Sequence, residues 1–581
     1  MKVRKFFVFA VVGMMIFAGT AHALDLASLI DDIKEAVVND NRAPVAEVVS
    51  VSPENALSTR PDDSVYCVLR LDDTGRFLRW LLSRENINIF MPLIVGSKSS
   101  NEILGVVEII SAVVENTPLK SAALIIGINR SDAKTRSPFV QIAFSVDSSI
   151  SPVVQKIAGG SADAKDIAKL LLGGNNPLTS LAETMIKVDK DGDIFRVNND
   201  VFMKAQDSLI LVGTSAREVR AAVSALKDDS VRLFSKVART FDTGDFVFVH
   251  CDYETLAELD DDDDQIEEAL KYFDKPLNVE FAFRRFADKF LVSTRVNVLE
   301  AFKKRYSENI AAENHKVPGG YIDMKNAGGK TSPIAALGML IDFSELKKHA
   351  TFKALWGRAA KELEKRFGIT DDELTGALNG AFSLVVNDRV NIEGFNVPAL
   401  YLSHTGKEGA AAKIFEKLAK SRFYSQVQDG ILQMDSSLSP VSCLAALKGD
   451  TLCIDFADLS SLAETPELKP ALAKLMNTES LFAFWLDFAG LQSWLVDGEN
   501  GVLTTLAPLA SLMGYGKIFN AVRDALNAEL SVPSMSIWSE TAEIFHTEFA
   551  VADVDADKGL FAKLVRLYID LKDEIKKLQT K

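Results

Sequence analysis

The feature that most constrains this chain is a strand–turn–helix pattern that occurs twice. Residues 207–226 (DSLILVGTSAREVRAAVSAL) contain an apolar run, a turn of small residues and an amphipathic segment. An uninterrupted apolar run is typical of a strand buried on both faces. A hydroxyl at Thr214 or Ser215 can accept a hydrogen bond from a free N–H at a helix start. The pattern predicts a strand at 209–212, followed by a helix whose buried face carries Val219, Val223 and Leu226.

Residues 450–475 (DTLCIDFADLSSLAETPELKPALAKL) repeat this plan, and other predicted elements recur in the same order. The predicted strand at 65–72 matches the one at 335–342, and the strand at 246–252 matches the one at 481–487. The hairpin signals Asp191-Gly192 and Asp429-Gly430 recur as well. An unbroken series of matches indicates an internal duplication, in which Cys453 aligns with Ile210.

These matches divide the chain into segments. We expect a signal peptide at 1–23, an N-terminal helix and lead-in at 24–60, and a first module at 61–300. A linker at 301–333 leads to a second module at 334–581, which ends in a predicted helix over 558–579. The linker contains the break Pro318-Gly319-Gly320, a composition typical of irregular connections.

The fold class predicted for each module is α+β. Hairpins place sequential strands side by side, which favours a mixed or antiparallel sheet over a purely parallel one. We expect the helices mainly on one face of each sheet. The strand–helix–strand–strand–helix–strand order at the start of each module is also that of a ferredoxin-like fold.

The N-terminus has the three parts of a secretory signal. Lys2, Arg4 and Lys5 are followed by an apolar stretch at 6–18 and by the small-residue site Ala21-His22-Ala23. We expect cleavage before Leu24 and export to the periplasm or the exterior. No later segment approaches the roughly 18 apolar residues of a membrane-spanning helix, so we expect no transmembrane segment after cleavage.

Charge argues against one class of partner. The formal net charge is −15, and no local cluster of Lys and Arg with interleaved aromatic residues occurs. Nucleic-acid binding needs such a basic surface, so we expect no nucleic-acid partner.

The exported start, the first strand soon after Pro61 and the DSLILVGTS segment with its helix resemble a group of large exported bacterial proteins. Those proteins share a duplicated α+β module and have no characterised activity. The resemblance implies a fold and a location in the cell envelope. It implies no catalytic, cofactor-binding or metal-binding residues.

The four cysteines leave two pairings open in an exported chain. Cys67, Cys251 and Cys453 lie in apolar strand-like runs and align with apolar residues of the other half, which favours Cys as a small hydrophobic residue. Cys443 and Cys453 flank one turn, so a bridge across it stays open, and Cys67 with Cys251 is the second alternative.

Three motifs superficially resemble ligand-binding sites. Residues 326–332 (NAGGKTS) lack the first glycine of a phosphate loop, because Met324 stands at its position, and they are better explained as linker. The acidic run at 260–264 is favoured as a solvated helix face over a cation site. Residues 189–193 (DKDGD) do not have the order of a calcium loop and predict a hairpin turn.

The histidines and aromatic residues give no catalytic signature. No histidine pair has metal-ligand spacing, so we predict no catalytic, cofactor-binding or metal-binding residues and no cofactor. An aromatic concentration in the second module is favoured as core packing over a ligand surface. The residues considered are His250, His315, His349, His404 and His546 among the histidines, and Phe482, Phe484, Trp485, Phe488 and Trp494 among the aromatics.

The expected function is therefore a non-enzymatic one. We expect an exported binding or structural protein of the cell envelope, whose partner is a protein or another envelope component. The alternatives are an exported hydrolase and a periplasmic solute-binding protein, each with its site in a cleft between the modules, since ligands favour domain interfaces.

Overall fold

The fold consists of two compact units, each of which contains both strands and helices. Unit 1 comprises Met1–Ala287, Val292–Glu300 and Val554–Arg566, and unit 2 comprises Asp288–Leu291, Ala301–Asp553 and Leu567–Lys581. The computed structural model describes residues 52–57, 63–73, 118–129, 137–173, 179–198, 201–228, 241, 246–251, 279–286, 288–297, 304, 333–341, 343–347, 350–392, 395–406, 408–435, 443–455, 468–478, 480, 482–496, 511, 516 and 534–550.

Several sequence predictions lie outside these residues. They are the signal peptide at 1–23, the N-terminal helix, nearly all of the linker at 301–333, and the C-terminal helix at 558–579.

Unit 1 contains an antiparallel sheet with short helices. Its strands are β1 (Asp63–Leu71), β2 (Leu119–Asn129), β3 (Ser137–Val146), β4 (Val188–Asp191), β5 (Ile194–Val197), β6 (Val201–Gln206), β7 (Leu209–Gly213), β8 (Phe246–Cys251), β9 (Val279–Arg285) and β10 (Lys289–Val296), the last extending into unit 1 from residue 292. Its helices are α1 (Ser151–Ala158), α2 (Ala164–Leu172), α3 (Thr179–Met185) and α4 (Ala216–Lys227), with 3₁₀ helices at Pro53–Ala56 and Ser148–Ile150.

The strands of unit 1 pair in the order β4-β5-β6-β7-β3-β2-β1-β8-β9-β10. Every pairing whose register is resolved is antiparallel. β1 therefore has two antiparallel neighbours, β2 and β8. A ferredoxin-like sheet would set the first strand beside a parallel one through its split βαβ unit. The ferredoxin-like order is therefore not confirmed, since both neighbours of β1 are antiparallel to it.

Helices cover both faces of the unit 1 sheet. α1 and α2 pack on the face that carries Ile142 and Ile210. α4 packs on the other face, where Gln141 Nε2 donates to the carbonyl oxygen of Glu218 at 2.7 Å. Adjacent residues of a strand point to opposite faces of the sheet. Because Gln141 contacts α4 and its neighbour Ile142 contacts the layer of α1 and α2, these helices lie on opposite faces. The expectation of helices mainly on one face is wrong here. Amphipathic periodicity shows that a helix buries a face, but not on which side of the sheet.

Unit 2 is also an antiparallel sheet with helices. Its strands are β11 (Ala335–Ile341), β12 (Gly380–Ile392), β13 (Phe395–Thr405), β14 (Tyr424–Gln428), β15 (Ile431–Met434), β16 (Leu444–Lys448), β17 (Thr451–Asp455), β18 (Phe482–Asp487), β19 (Ser534–Ser539) and β20 (Ile544–Ala550). Its helices are α5 (Phe343–Leu346), α6 (Ala350–Phe367), α7 (Asp371–Leu378), α8 (Ala410–Ala419), α9 (Pro470–Met476) and α10 (Phe488–Val496).

The strands of unit 2 pair antiparallel in the order β14-β15-β16-β17-β13-β12-β11-β18-β19-β20. α7 and α8 pack on the face of Ala445, and α9 packs on the face of Ala446. Because these two alanines are neighbours on β16, both faces of this sheet are covered as well. The fold class of the chain is thus α+β, built on antiparallel sheets.

The predicted strand at 209–212 is confirmed as the interior strand β7. It lies between β3 and β6, and all five of its residues are buried. α4 begins as predicted, since the Ser215 hydroxyl accepts a hydrogen bond from the N–H of Arg217 at 3.2 Å. Its fully buried face carries Val219 with three alanines, whereas Val223 and Leu226 are only half-buried.

Two-residue turns correct the alignment between the halves. Gln206 pairs with Leu209 across one turn, and Lys448 pairs with Thr451 across the other. The position that follows Leu209 is Ile210, and the one that follows Thr451 is Leu452. Cys453 therefore does not correspond to Ile210, and a shift of one residue moves a side chain to the other face of the sheet.

Candidate functional site

A polar groove in unit 1 is a candidate site among the described residues. One wall is the 3₁₀ helix Pro53–Ala56, which begins with proline and is held down by fully buried Ala56 and Leu57. This helix contacts β2, β3 and α4. The groove encloses about 240 Å³ and is lined by Ser52, Pro53, Glu54, Arg70, Leu71, Asp72, Ser121 and Ala122.

Arg70, near the end of β1, is the central charged residue of the groove. It is buried, with 9% of its surface exposed. Its Nη1 lies 3.2 Å from Oε2 of Glu54, and its Nε lies 2.8 Å from Oδ1 of Asp72. A buried guanidinium needs such partners, because desolvation of an unpaired charge is costly. The ion pairs therefore tie the 3₁₀ helix to the first strand.

The opposite wall is formed where β2 departs from regular pairing. The register between β2 and β3 shifts between Leu119 and Ala122. Bulges of this kind re-aim side chains and are common beside binding sites. At this bulge the Ser121 and Ser145 hydroxyl oxygens are 2.7 Å apart, and the Ser121 N–H donates to the Ser145 oxygen at 3.2 Å. The bulge thus places a hydroxyl group on the groove wall.

The charges of the groove favour a cationic ligand. Two carboxylates face one guanidinium, so the formal charge of the lining is negative. The Asp72 side chain is 42% exposed, whereas that of Glu54 is 18% exposed. Asp72 is therefore the carboxylate that solvent and a ligand can reach. The volume is below the roughly 300–1,000 Å³ of typical small-molecule pockets, which suits one side chain better than a whole cofactor.

A second group of titratable side chains lies in unit 2. Burial raises the pKa of the Asp455 carboxyl to about 6. Burial, with a contribution from Asp455, raises the pKa of the Cys443 thiol to about 11. Burial, with a contribution from Cys443, raises the pKa of Tyr424 to about 12. At neutral pH the Cys443 thiol and the Tyr424 phenol are therefore in their neutral forms, and the thiol is not activated as a nucleophile. The Asp455 carboxyl keeps its proton up to about pH 6 and ionises above it.

Cys443 and Cys453 are both buried free thiols, so the bridge left open between them is not formed. Cys453 lies opposite Ala446, three residues along the chain from Cys443. Three residues of extended chain span about 10 Å, beyond the reach of a disulfide. The Tyr401 hydroxyl instead lies 3.1 Å from Cys453 Sγ. The other pairing left open by the sequence is Cys67 with Cys251. Here the register of β1 with β8 places the two residues directly opposite each other.

The two histidines with described side chains occupy unlike places. Burial lowers the pKa of His404 to about 4, although the backbone of Leu378 and Ala377 acts in the opposite direction. It is 6% exposed and is thus a neutral core residue. His546 stacks on Trp538 with 5.1 Å between ring centroids, and its Nε2 lies 2.7 Å from Oε2 of the exposed Glu540.

Lysines of unit 2 hold α9 to the sheet. Lys474 Nζ lies 2.9 Å from Oε2 of Glu548, a residue only 9% exposed. Lys469, at the N-cap of α9, contacts the carboxylate of buried Asp487. These ion pairs neutralise two buried carboxylates and hold α9 against the sheet, so their role is structural.

The other sequence-derived candidates have mixed outcomes. The hairpin predicted at 189–193 is confirmed, with its turn at Gly192 and Asp193. Trp485 is fully buried, in agreement with core packing, whereas Phe482 and Phe484 are half-buried. The tract at 326–332, the acidic run at 260–264, His315 and His349 lie outside the described residues, as does the side chain of His250.

Two kinds of feature are absent from the part of the chain that the structure describes. No group of three or more His, Cys, Asp and Glu side chains is placed to hold a metal ion there. No described helix combines the length and apolarity needed to cross a membrane.

Sequence reasoning missed the groove. The only local signal is the charge of Glu54, Arg70 and Asp72, which is not distinctive in a chain where 25% of residues are charged. Their meeting depends on the docking of the 3₁₀ helix, which no periodicity reveals. Comparison of the chain with protein-family models, curated proteins and solved structures finds no match.

Proposed function

We propose that this chain is an exported, non-enzymatic protein of the cell envelope that binds a basic side chain of a partner protein in the groove beside Arg70. The observation that carries the proposal is the charge of that groove. Glu54 and Asp72 share one guanidinium, and the Asp72 carboxylate is still 42% exposed. A lysine or arginine side chain could approach this exposed carboxylate and form a further charge-assisted contact with it.

The geometry favours binding over catalysis at this place. The three charged groups are engaged with one another, and the serine hydroxyls pair with each other. Proton transfer or nucleophilic attack needs a base within hydrogen-bond reach of the group that it activates. A small, negatively charged recess instead supports recognition of one cationic group, with affinity that falls as salt increases.

The experiment is a ligand-observed NMR titration with the tripeptide Gly-Lys-Gly, and with Gly-Glu-Gly as the charge control. We expect weak, salt-sensitive binding of Gly-Lys-Gly only. Asp72→Asn should weaken binding about fivefold to tenfold, the effect of losing one partly exposed ion pair of ~1 kcal/mol. Asp73→Asn, at the exposed neighbouring carboxylate, is the matched control and should leave affinity unchanged. Equal binding of both peptides, or no effect of Asp72→Asn, would refute the proposal.

We further infer that the two units arose by duplication. The support is that the strand order of unit 1, read from β4 to β10, recurs in unit 2 from β14 to β20. The matching two-residue turns before β7 and β17 add to it.

A further inference from the structure

We propose that Cys67 and Cys251 form a disulfide that links β1 to β8 in unit 1. The two residues are direct partners in the antiparallel pairing of these strands. Their backbone positions follow from the register, which continues with Val68 opposite His250. Cys67 and Cys251 are far apart in sequence, and the antiparallel pairing of β1 with β8 brings them together.

The backbone spacing suits a disulfide. Directly opposite residues of antiparallel strands have Cα atoms about 4.5 or 5.5 Å apart, depending on the hydrogen-bonding pattern. Disulfides are found at Cα separations of about 4.4–6.8 Å. Both kinds of pair fall within that range, and directly opposite side chains lie on the same face of the sheet.

The four cysteines therefore separate into two classes. Cys67 and Cys251 are in register, whereas Cys443 and Cys453 are buried thiols that the register of β16 and β17 holds apart. In the second unit β11 and β18 have the corresponding pairing, and Leu337 lies opposite Phe484 there. The covalent link would be a property of unit 1 only.

The oxidant that forms this bond is another disulfide, such as oxidised glutathione or the disulfide of a thiol–disulfide oxidoreductase. The thiolate of one cysteine attacks the oxidant, forms a mixed disulfide and releases one thiol. The thiolate of the other cysteine then attacks the bound sulfur, which forms the Cys67–Cys251 bond and releases the second thiol. Two protein thiols are oxidised, and one oxidant disulfide is reduced to two thiols.

The test uses the purified full-length chain, incubated with oxidised glutathione, denatured and alkylated without reduction. We expect two of the four cysteines to be alkylated, at Cys443 and Cys453. Mass spectrometry of a digest should show one linked peptide that contains Cys67 and Cys251. After reduction, all four cysteines should be alkylated. The readout is independent of export and of ligand binding, so its failure would leave the proposed function standing.

A variant series extends the test. Dithiothreitol should lower the melting temperature of the oxidised wild type, and should leave the Cys67→Ser/Cys251→Ser variant unchanged. Four alkylated cysteines in the oxidant-treated wild type, or a linked peptide with any other pairing, would overturn the proposal. Because the thiol count is made on the wild type, it decides the question even if the double variant does not fold.

Discussion

Two buried titratable side chains of unit 2, Asp455 on β17 and His404 on β13, respond to pH with opposite signs. Burial raises the pKa of Asp455 to about 6 and lowers that of His404 to about 4. Asp455 binds its proton more tightly in the folded state, whereas His404 binds one more tightly when unfolded. Over about pH 4–6 the two contributions to stability change in opposite directions.

Asp455→Asn should stabilise unit 2 at neutral pH. The folded pKa of Asp455 lies above its ordinary value of about 4, so the wild type loses stability as pH rises from about 4 through about 6. The variant should equal the wild type near pH 4 and exceed it by on the order of 2 kcal/mol above pH 6. Denaturant midpoints across this range measure the difference. Asp429→Asn, on an exposed turn, is the control, and a variant no more stable than wild type at pH 7 would contradict the prediction.

His404→Leu should act at the acidic end instead. The folded pKa of His404 lies below its ordinary value of about 6.5, so the wild type loses stability as pH falls from about 6.5 through about 4. The variant cannot be protonated there. We therefore expect its advantage over the wild type to be larger at pH 4 than at pH 7, by on the order of 2 kcal/mol. Thermal melts at both pH values measure this, and a difference independent of pH would show that His404 is solvated.

At the scale of elements, an interior strand should tolerate a buried charge poorly. Ile210→Asp would place a carboxylate in the layer between β7 and helices α1 and α2, where Ile210 is fully buried. It should be among the most destabilising single changes, at several kcal/mol, because an unpaired buried charge is costly. Leu452→Asp in β17, beneath α7 and α8, should cost less, because Leu452 is only half-buried.

The control for these variants is Lys165→Asp, at an exposed position of α2. It should shift the unfolding midpoint by no more than about half a kcal/mol. A melting temperature of Ile210→Asp within a degree or two of wild type would show that β7 is not an interior strand.

The elements that sequence predicted well are those with local signals. The apolar run of β7 and the hydroxyl cap at Ser215 each depend on a few adjacent residues, and both are found. The alignment of Cys453 with Ile210 failed because Asp450 was matched with Asp207, although the turns place Asp450 with Ser208. The groove at Arg70 was not predicted for another reason. It forms only where the 3₁₀ helix Pro53–Ala56 docks, and the position of that helix depends on tertiary packing.

At the scale of the whole molecule, the N-terminus gives the most direct prediction. The pattern of Lys2, Arg4 and Lys5, an apolar stretch and Ala21-His22-Ala23 predicts cleavage before Leu24. The intact mass of protein isolated from its native cell should therefore correspond to a chain that begins at Leu24. Replacing Ala23 with a bulky residue such as Trp should block processing, because the cleavage site requires small residues. A native mass that includes residues 1–23 would rule out the signal peptide.

The position of β1 in its sheet has a consequence for the order of folding. Several pairings in unit 1 join strands that are consecutive in the chain, namely β2 with β3 and each strand from β4 to β6 with the next. The second neighbour of β1, in contrast, is β8, which lies far along the chain. Pairing across a long loop costs entropy and is slow. A chain that emerges N-terminus first can complete its local hairpins while one edge of β1 waits for Phe246–Cys251. During that interval the open edge offers unpaired backbone groups to other chains, which favours aggregation of the nascent first unit.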